Sequence, residues 1–234
     1  MATMTAYVNL CAVDGCNKTP HGRSRYCAMH HYHDHSHGHP EQNAIHNYLK
    51  EPVHRLETWA KTHEGRRAIE AAQEHYERLA QAKVREASDD YREMMRSGIK
   101  LSNPRHEACE IIAQTYETKD IRKTVVQLLA MGVLLEETPQ SFKSDRAFLY
   151  EATQVFMRGS AARAQYRYRK YEGKRVAVTR YLRRKTRHEL GSWLTREMVY
   201  LGVMIARQWQ KSVAEEKQSR NKVYAAIRGE TVTT

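Results

Sequence analysis

Residues 52–96 run PVHRLETWAKTHEGRRAIEAAQEHYERLAQAKVREASDDYREMMR, with no proline after Pro52 and a single glycine, Gly65. Leu56, Trp59, Ile69, Ala72, Tyr76, Leu79, Tyr91 and Met94 recur at helical spacing among good helix formers, which predicts one long amphipathic helix over 53–96, interrupted at most at Gly65. A stripe of that length is also the usual material of a dimer or partner interface. It places the chain in the mostly α class.

Working outward from it, Gly98 and the Asn103-Pro104 pair mark a hinge or linker. Helices are expected over 105–117 and 119–131, the second ended by Gly132 and rich in core residues (Ile121, Val125, Leu128, Leu129). Ser144 and Asp145 read as N-terminal caps for a helix carrying Phe148, Leu149, Ala152, Val155 and Phe156. Farther on, Leu190, Trp193, Leu194, Met198, Leu201, Ile205 and Trp209 step by threes and fours. Met198 to Ala206 is apolar on every side, which predicts the centre of the C-terminal core. The only strand expected is a short one near Ala6 to Leu10, and the polar tail from Gly229 is expected to fray. The expected architecture is a small N-terminal zinc-binding module followed by a multi-helix body with one long helix. By residues, it comprises a zinc finger and His-rich linker over 1–40, the long helix within 41–100, and a helical domain over 101–234.

The module rests on Cys11-x4-Cys16-x10-Cys27-x2-His30, three thiolates and an imidazole within twenty residues. Structural zinc takes four such ligands in a tetrahedron, and the Cys27/His30 spacing puts two of them on one face of a helical turn. Gly15 and Gly22 allow sharp turns between them. So short a segment has too little apolar surface to fold alone, and the metal would supply its stability. Cys109 stands apart, beside Ala108, Ile111 and Ile112, in the pattern of a packed core thiol.

The run Cys11-Ala-Val-Asp-Gly-Cys16, the loop Gly22-Arg-Ser-Arg-Tyr and Cys27-Ala-Met-His30-His-Tyr32 together resemble the small zinc finger of many bacteriophage and mobile-element DNA-binding proteins, including some endonucleases of the HNH class. The resemblance covers residues 8–33 and implies a phage or mobile-element origin more than any particular activity. Those endonucleases carry a separate ββα metal site with a histidine general base. No strand–strand–helix pattern follows the finger here, so nuclease activity does not transfer.

Six of the ten residues 30–39 are histidine. His31, His33, His35, His37 and His39 alternate with other residues, which suits either a flexible linker or a second transition-metal site on an extended chain. A catalytic arrangement of Asp34 with His31 or His46 around a metal rests on composition alone.

The formal charge is +12 and the pI is about 9.6. Within residues 158–187, twelve basic residues face one acidic residue, Glu172, so +11 of the +12 lies in thirty residues. Arg163, Arg167, Arg169, Lys170, Lys174, Arg175, Arg180, Arg183, Arg184, Lys185 and Arg187 are the candidate phosphate contacts. Arginine's planar fork suits bidentate phosphate binding, and the interleaved Tyr166 and Tyr168 offer rings for bases to stack on. Arg23 and Arg25 in the finger loop would add a second contact. The alternative is a solvated basic face paired with the acidic residues of 105–157. A membrane-surface helix is disfavoured, since the segment lacks a Trp/Leu/Phe face.

No Gly-rich phosphate loop, Walker motif, serine elbow or paired-carboxylate arrangement occurs, which weighs against an enzyme. The expected function is a non-enzymatic, zinc-containing nucleic-acid-binding protein, with DNA preferred to RNA. The alternatives are a protein-interaction factor of a phage or mobile element, using helix 53–96 for a partner or for self-association, and a metal-dependent nuclease. No secretory signal pattern opens the chain, and clustered cysteines suit a reducing compartment. The cytoplasm, that of the host if the protein is viral, is therefore the expected location, with no membrane partner.

Overall fold

The computed structural model describes residues 10–98, 103–169, 174–179 and 182–227, with side chains described except at 163–181 and from 221 onward. The strand expected near Ala6 to Leu10 lies, but for Leu10, outside the described residues, as does the tail from Gly229. Mostly α is the observed class: α1 Ala28–His37, α2 Lys50–Trp59, α3 His63–Ser97, α4 Pro104–Thr118, α5 Ile121–Glu137, α6 Asp145–Met157, α7 Arg184–Leu194 and α8 Tyr200–Ile227. A π turn over Thr195–Val199 joins α7 to α8. One hairpin departs from the sequence reading, which has no strand there. β1 (Ala164–Arg169) pairs antiparallel with β2 (Lys174–Thr179), Tyr166 opposite Ala177 and Arg169 opposite Lys174, inside the arginine-rich segment.

Helix α5 forms the centre of the body. Every residue from Thr124 to Leu134 except Gln127 is buried, with α2, α3, α6 and α8 packed around it. A helix apolar on all sides is stable only where neighbours cover all of them. That role was expected of 198–206 and falls to α5 instead. In α8 the residues Val203 and Ala206 are buried while Tyr200 and Met204 are 56% and 66% exposed, because α8 lies on α5 with one face only.

Gly132 does not end α5, which continues to Glu137. It lacks the left-handed backbone with which Gly38 (φ 79) and Gly98 (φ 66) close α1 and α3. Its role is close approach: a Cβ there would lie 2.0 Å from the Val199 carbonyl oxygen, and one on Gly202 would lie 2.0 Å from that of Leu129. The two backbones cross glycine on helix, as tight packing of α5 on α8 requires.

The helix expected over 53–96 is two helices that break at Ala60–Thr62, ahead of Gly65. Thr62 caps α3, its hydroxyl accepting the Gly65 N–H (3.1 Å) and donating to the Trp59 carbonyl (2.8 Å). Gly65 presses on that same carbonyl, leaving no room for a Cβ. The apolar stripe of α3 is Ile69, Ala72, Tyr76 and Ala80, with Leu79 partly buried, and it is filled from within the chain by α4 and α5. Beyond Ala80 the stripe stops, and Tyr91 is 54% exposed. There α3 is held to α4 by polar contacts, Arg105 to Glu86 (2.6 Å) and His106 to Asp90 (3.1 Å).

Other local readings hold. Ser144 caps α6 by accepting the Ala147 N–H, with Asp145 in the first turn rather than at the cap, and Asn103 caps α4. Cys109 is a core thiol, 1% exposed, and burial pushes it up to about 11. Among the described residues no helix is long and apolar enough to cross a membrane.

The Gly132 contact yields the first test. In an open mid-helix site, Gly→Ala stabilises by up to about 1 kcal/mol. At Gly132 the added methyl meets backbone, so Gly132→Ala should destabilise the protein by about 1–3 kcal/mol in thermal or denaturant unfolding.

Candidate metal centre

The loop between Leu10 and Cys27 is folded by backbone hydrogen bonds that bring distant ligands together. Cys11 donates its N–H to Lys18 (2.9 Å), Ala12 to Arg25 (2.9 Å) and His21 to Tyr26 (2.7 Å). Gly15 (φ 74) and Gly22 (φ 56) take left-handed turns that other residues adopt at a cost. Cys27 is the N-cap of α1 and His30 lies in its first turn, so the helix start sets their spacing.

The sulfurs of Cys11, Cys16 and Cys27 and a ring nitrogen of His30 all lie within 4.8 Å of one another. Cys11 Sγ stands 3.2 Å from His30 Nδ1, and Cys16 Sγ stands 3.9 Å from Cys27 Sγ. A tetrahedral ion with metal–sulfur bonds near 2.3 Å puts its sulfurs roughly 3.8 Å apart, so the set is positioned to bind a metal ion and is compatible with zinc.

The electrostatics agree. Desolvation raises the Cys11 thiol, but the Cys27 N–H (3.3 Å) and the His30 ring outweigh it and bring the group down to about 6. At Cys16 the Lys18 amide favours the thiolate, yet desolvation and the neighbouring Cys11 and Cys27 sulfurs together push it up. Three sulfurs held this close oppose each other's ionisation, and a cation among them removes that conflict. Cys11, Tyr26 and Cys27 are buried with Val13 against them, a cluster too small to hold the loop by apolar contact alone.

The histidine run is neither extended nor a linker. His30 to His37 lie in α1, which is closed by Gly38, packed on α6 and bonded to Arg184 and Arg187 of α7. Asp34, 7% exposed, accepts from Arg146 of α6 and from Arg184 of α7 (2.9 Å). Glu151 of α6 binds His37 with one oxygen and accepts the Ile45 N–H with the other (3.2 Å). In a helix, histidines two apart point to different sides and only those four apart share a face, as His33 and His37 do with ring centroids 5.7 Å apart. Among the described residues, the one group of three or more placed for a metal is Cys11, Cys16, Cys27 and His30. The catalytic arrangement of Asp34 with His31 or His46 is not assembled, since both Asp34 oxygens are held by arginines.

The candidate nucleic-acid residues divide three ways. Arg163, Tyr166, Arg167, Tyr168, Arg169, Lys170, Lys174, Arg175 and Arg180 lie outside the described side chains. Arg23, Arg25, Arg183, Arg184 and Lys185 are exposed. Arg187 is the correction: it is 3% exposed, donates to the carbonyls of His35 (2.7 Å) and Ser36 (2.9 Å), and lies over the Tyr150 ring. It closes the C-terminal end of α1, where cations are favoured, and is not placed to meet phosphate. Arg146, Asp34 and Glu151 were missed as parts of this region. The one signal for Asp34 was a lone carboxylate among histidines.

Two measurements test these assignments. Wild-type protein should hold about one metal ion per chain, and Cys16→Ser should lose most of it in elemental analysis. Arg187→Gln should cost about 1.5–3 kcal/mol of stability, whereas a phosphate contact would have left stability unchanged and lowered affinity only. No protein-family model matches the chain, no curated protein matches it, and no solved structure matches it.

Proposed function

We propose that this chain is a non-enzymatic, zinc-containing nucleic-acid-binding protein of phage or mobile-element origin, which grips the phosphate backbone, DNA in preference to RNA, through residues 158–187. The observation that carries this reading is the concentration of +11 of the net +12 in those thirty residues, interleaved with tyrosines. The four candidate ligands suit a structural finger, since together they would complete a tetrahedron around zinc and leave no open position for chemistry.

Two features favour this reading over its rivals. Of the carboxylates in 105–157, three are engaged outside the segment, Glu136 with Arg207, Glu137 with Arg55 and Glu151 with His37, and so do not offset its charge. If helix 53–96 were the partner surface, its apolar stripe would face outward, but α4 and α5 fill it.

The test is a mobility-shift or anisotropy series across salt concentration. Replacing Arg167, Arg169 and Arg175 with glutamine should weaken duplex binding similarly for unrelated sequences and flatten the slope of log affinity against log salt by roughly 0.9 per lost contact. Unchanged affinity and slope in a folded variant would overturn the assignment.

A further inference from the structure

A second basic surface lies outside the hairpin, in a cleft of about 680 Å³ between the finger and the body. One wall is the loop carrying Arg23, Arg25 and Tyr26; the other is Asp34 of α1 with Arg146 of α6 and Arg184 of α7. These residues come from four separate parts of the chain. Only tertiary structure brings them together.

The walls are built rather than loose. In the loop, His21 and Tyr26 are joined through the backbone, Ser24 donates its N–H to the His21 carbonyl (2.9 Å), and the Ser24 hydroxyl accepts the Tyr26 N–H (3.1 Å). Tyr26 is 8% exposed, and the Arg25 guanidinium lies 4.8 Å from its ring centroid. The ligands Cys11 and Cys27 bracket the loop, so the metal centre fixes its position relative to α1. On the facing wall, Asp34 orients two guanidinium groups at once, Arg146 through one carboxylate oxygen and Arg184 through the other. The Arg146 Nε also donates to the Gly38 carbonyl. Both side chains stay open to the cleft, 44% and 56% exposed.

The charge balance identifies the ligand. Among the described residues Asp34 is the only carboxylate lining the cleft, and both its oxygens accept from arginines; it offsets one of four arginines there and leaves a formal surplus of three positive charges. A cleft lined by one sign concentrates counter-ions, and pre-oriented guanidinium groups select planar or tetrahedral oxyanions. Among the described residues no other acidic side chain lines it to serve as that anion.

We propose that this cleft is a phosphate clamp, with Arg23 and Arg25 on the metal-held loop forming one jaw and Arg146 and Arg184 on the body forming the other. The occupant is a phosphate group; on the nucleic-acid reading above, on which this part rests, it is a backbone phosphate of the strand held by the hairpin. The finger then acts as one jaw of a composite site rather than as an independent reader. Asp34 is a positioning residue, aligning Arg146 and Arg184 without touching the ligand.

The experiment uses the full metal-loaded chain and inorganic phosphate as the probe, followed through the arginine Nε–H resonances, with a short oligonucleotide as competitor. Saturable shifts at Arg23, Arg25, Arg146 and Arg184, displaced by the oligonucleotide, are the expected result. Arg23→Gln/Arg25→Gln, which alters two exposed loop side chains and leaves the Asp34 pairs intact, should weaken phosphate binding at least about tenfold, the loss of a charge-assisted contact. Arg122→Gln/Lys123→Gln, which removes two exposed charges elsewhere, should not. If the phosphate shifts appear but no oligonucleotide binds, the clamp stands as an anion site and the nucleic-acid reading falls. If oligonucleotide binds through the hairpin while phosphate moves none of the four arginines, or the loop variant binds phosphate as wild type does, the clamp is overturned and the nucleic-acid reading survives.

Discussion

The carboxylate of Asp34 joins the metal-binding segment to the helical body. It is buried, and a buried carboxylate without partners is costly enough that its surroundings must supply cations. Arg146 of α6 and Arg184 of α7 do so, one at each oxygen. Those two pairings fix α1 against two helices and leave two guanidinium groups aligned at the surface. Removing either arginine would leave the buried carboxylate with a single cation, so this junction is sensitive to substitution.

Around that junction the structure is held from both ends of α1. At its start, Cys27 and His30 belong to the metal centre; at its end, Gly38 turns the chain and Arg187 binds the carbonyls of His35 and Ser36. A ten-residue helix is marginal alone, and α1 has little apolar surface to bury. An arginine satisfies one terminus, and an ion bound by Cys27 and His30 would hold the other. The body needs no such help. Its core is continuous from Ile45 to Ala206, with α5 at the middle and two glycines bringing α8 onto it.

The two kinds of stabilisation bear on function differently. An apolar core gives the body rigidity, so arginines set on α6 and α7 keep their geometry. The loop instead carries residues positioned to bind a metal ion, and an ion bound there would help fix the placement of Arg23 and Arg25. On the proposed reading, a bound phosphate would share its contacts between a wall fixed by the core and a wall that a coordinated ion would hold.

What the sequence by itself determined follows from local chemistry. Four metal ligands within twenty residues, helix caps such as Ser144, the amphipathic register of Ile69, Ala72 and Tyr76, and the charge of residues 158–187 all depend on near neighbours along the chain. The tertiary structure decided the rest, because long-range partners choose among locally equivalent options. Gly132 looks like a helix stop until Val199 and Gly202 are set against it. Arg187 looks like its basic neighbours until the carbonyl end of α1 arrives, and alternating histidines look extended until Cys27 and Gly38 close a helix around them. The cleft of Arg23, Arg25, Arg146 and Arg184 has no sequence signature at all, since charge surplus at a point in space arises only when separate segments are packed together.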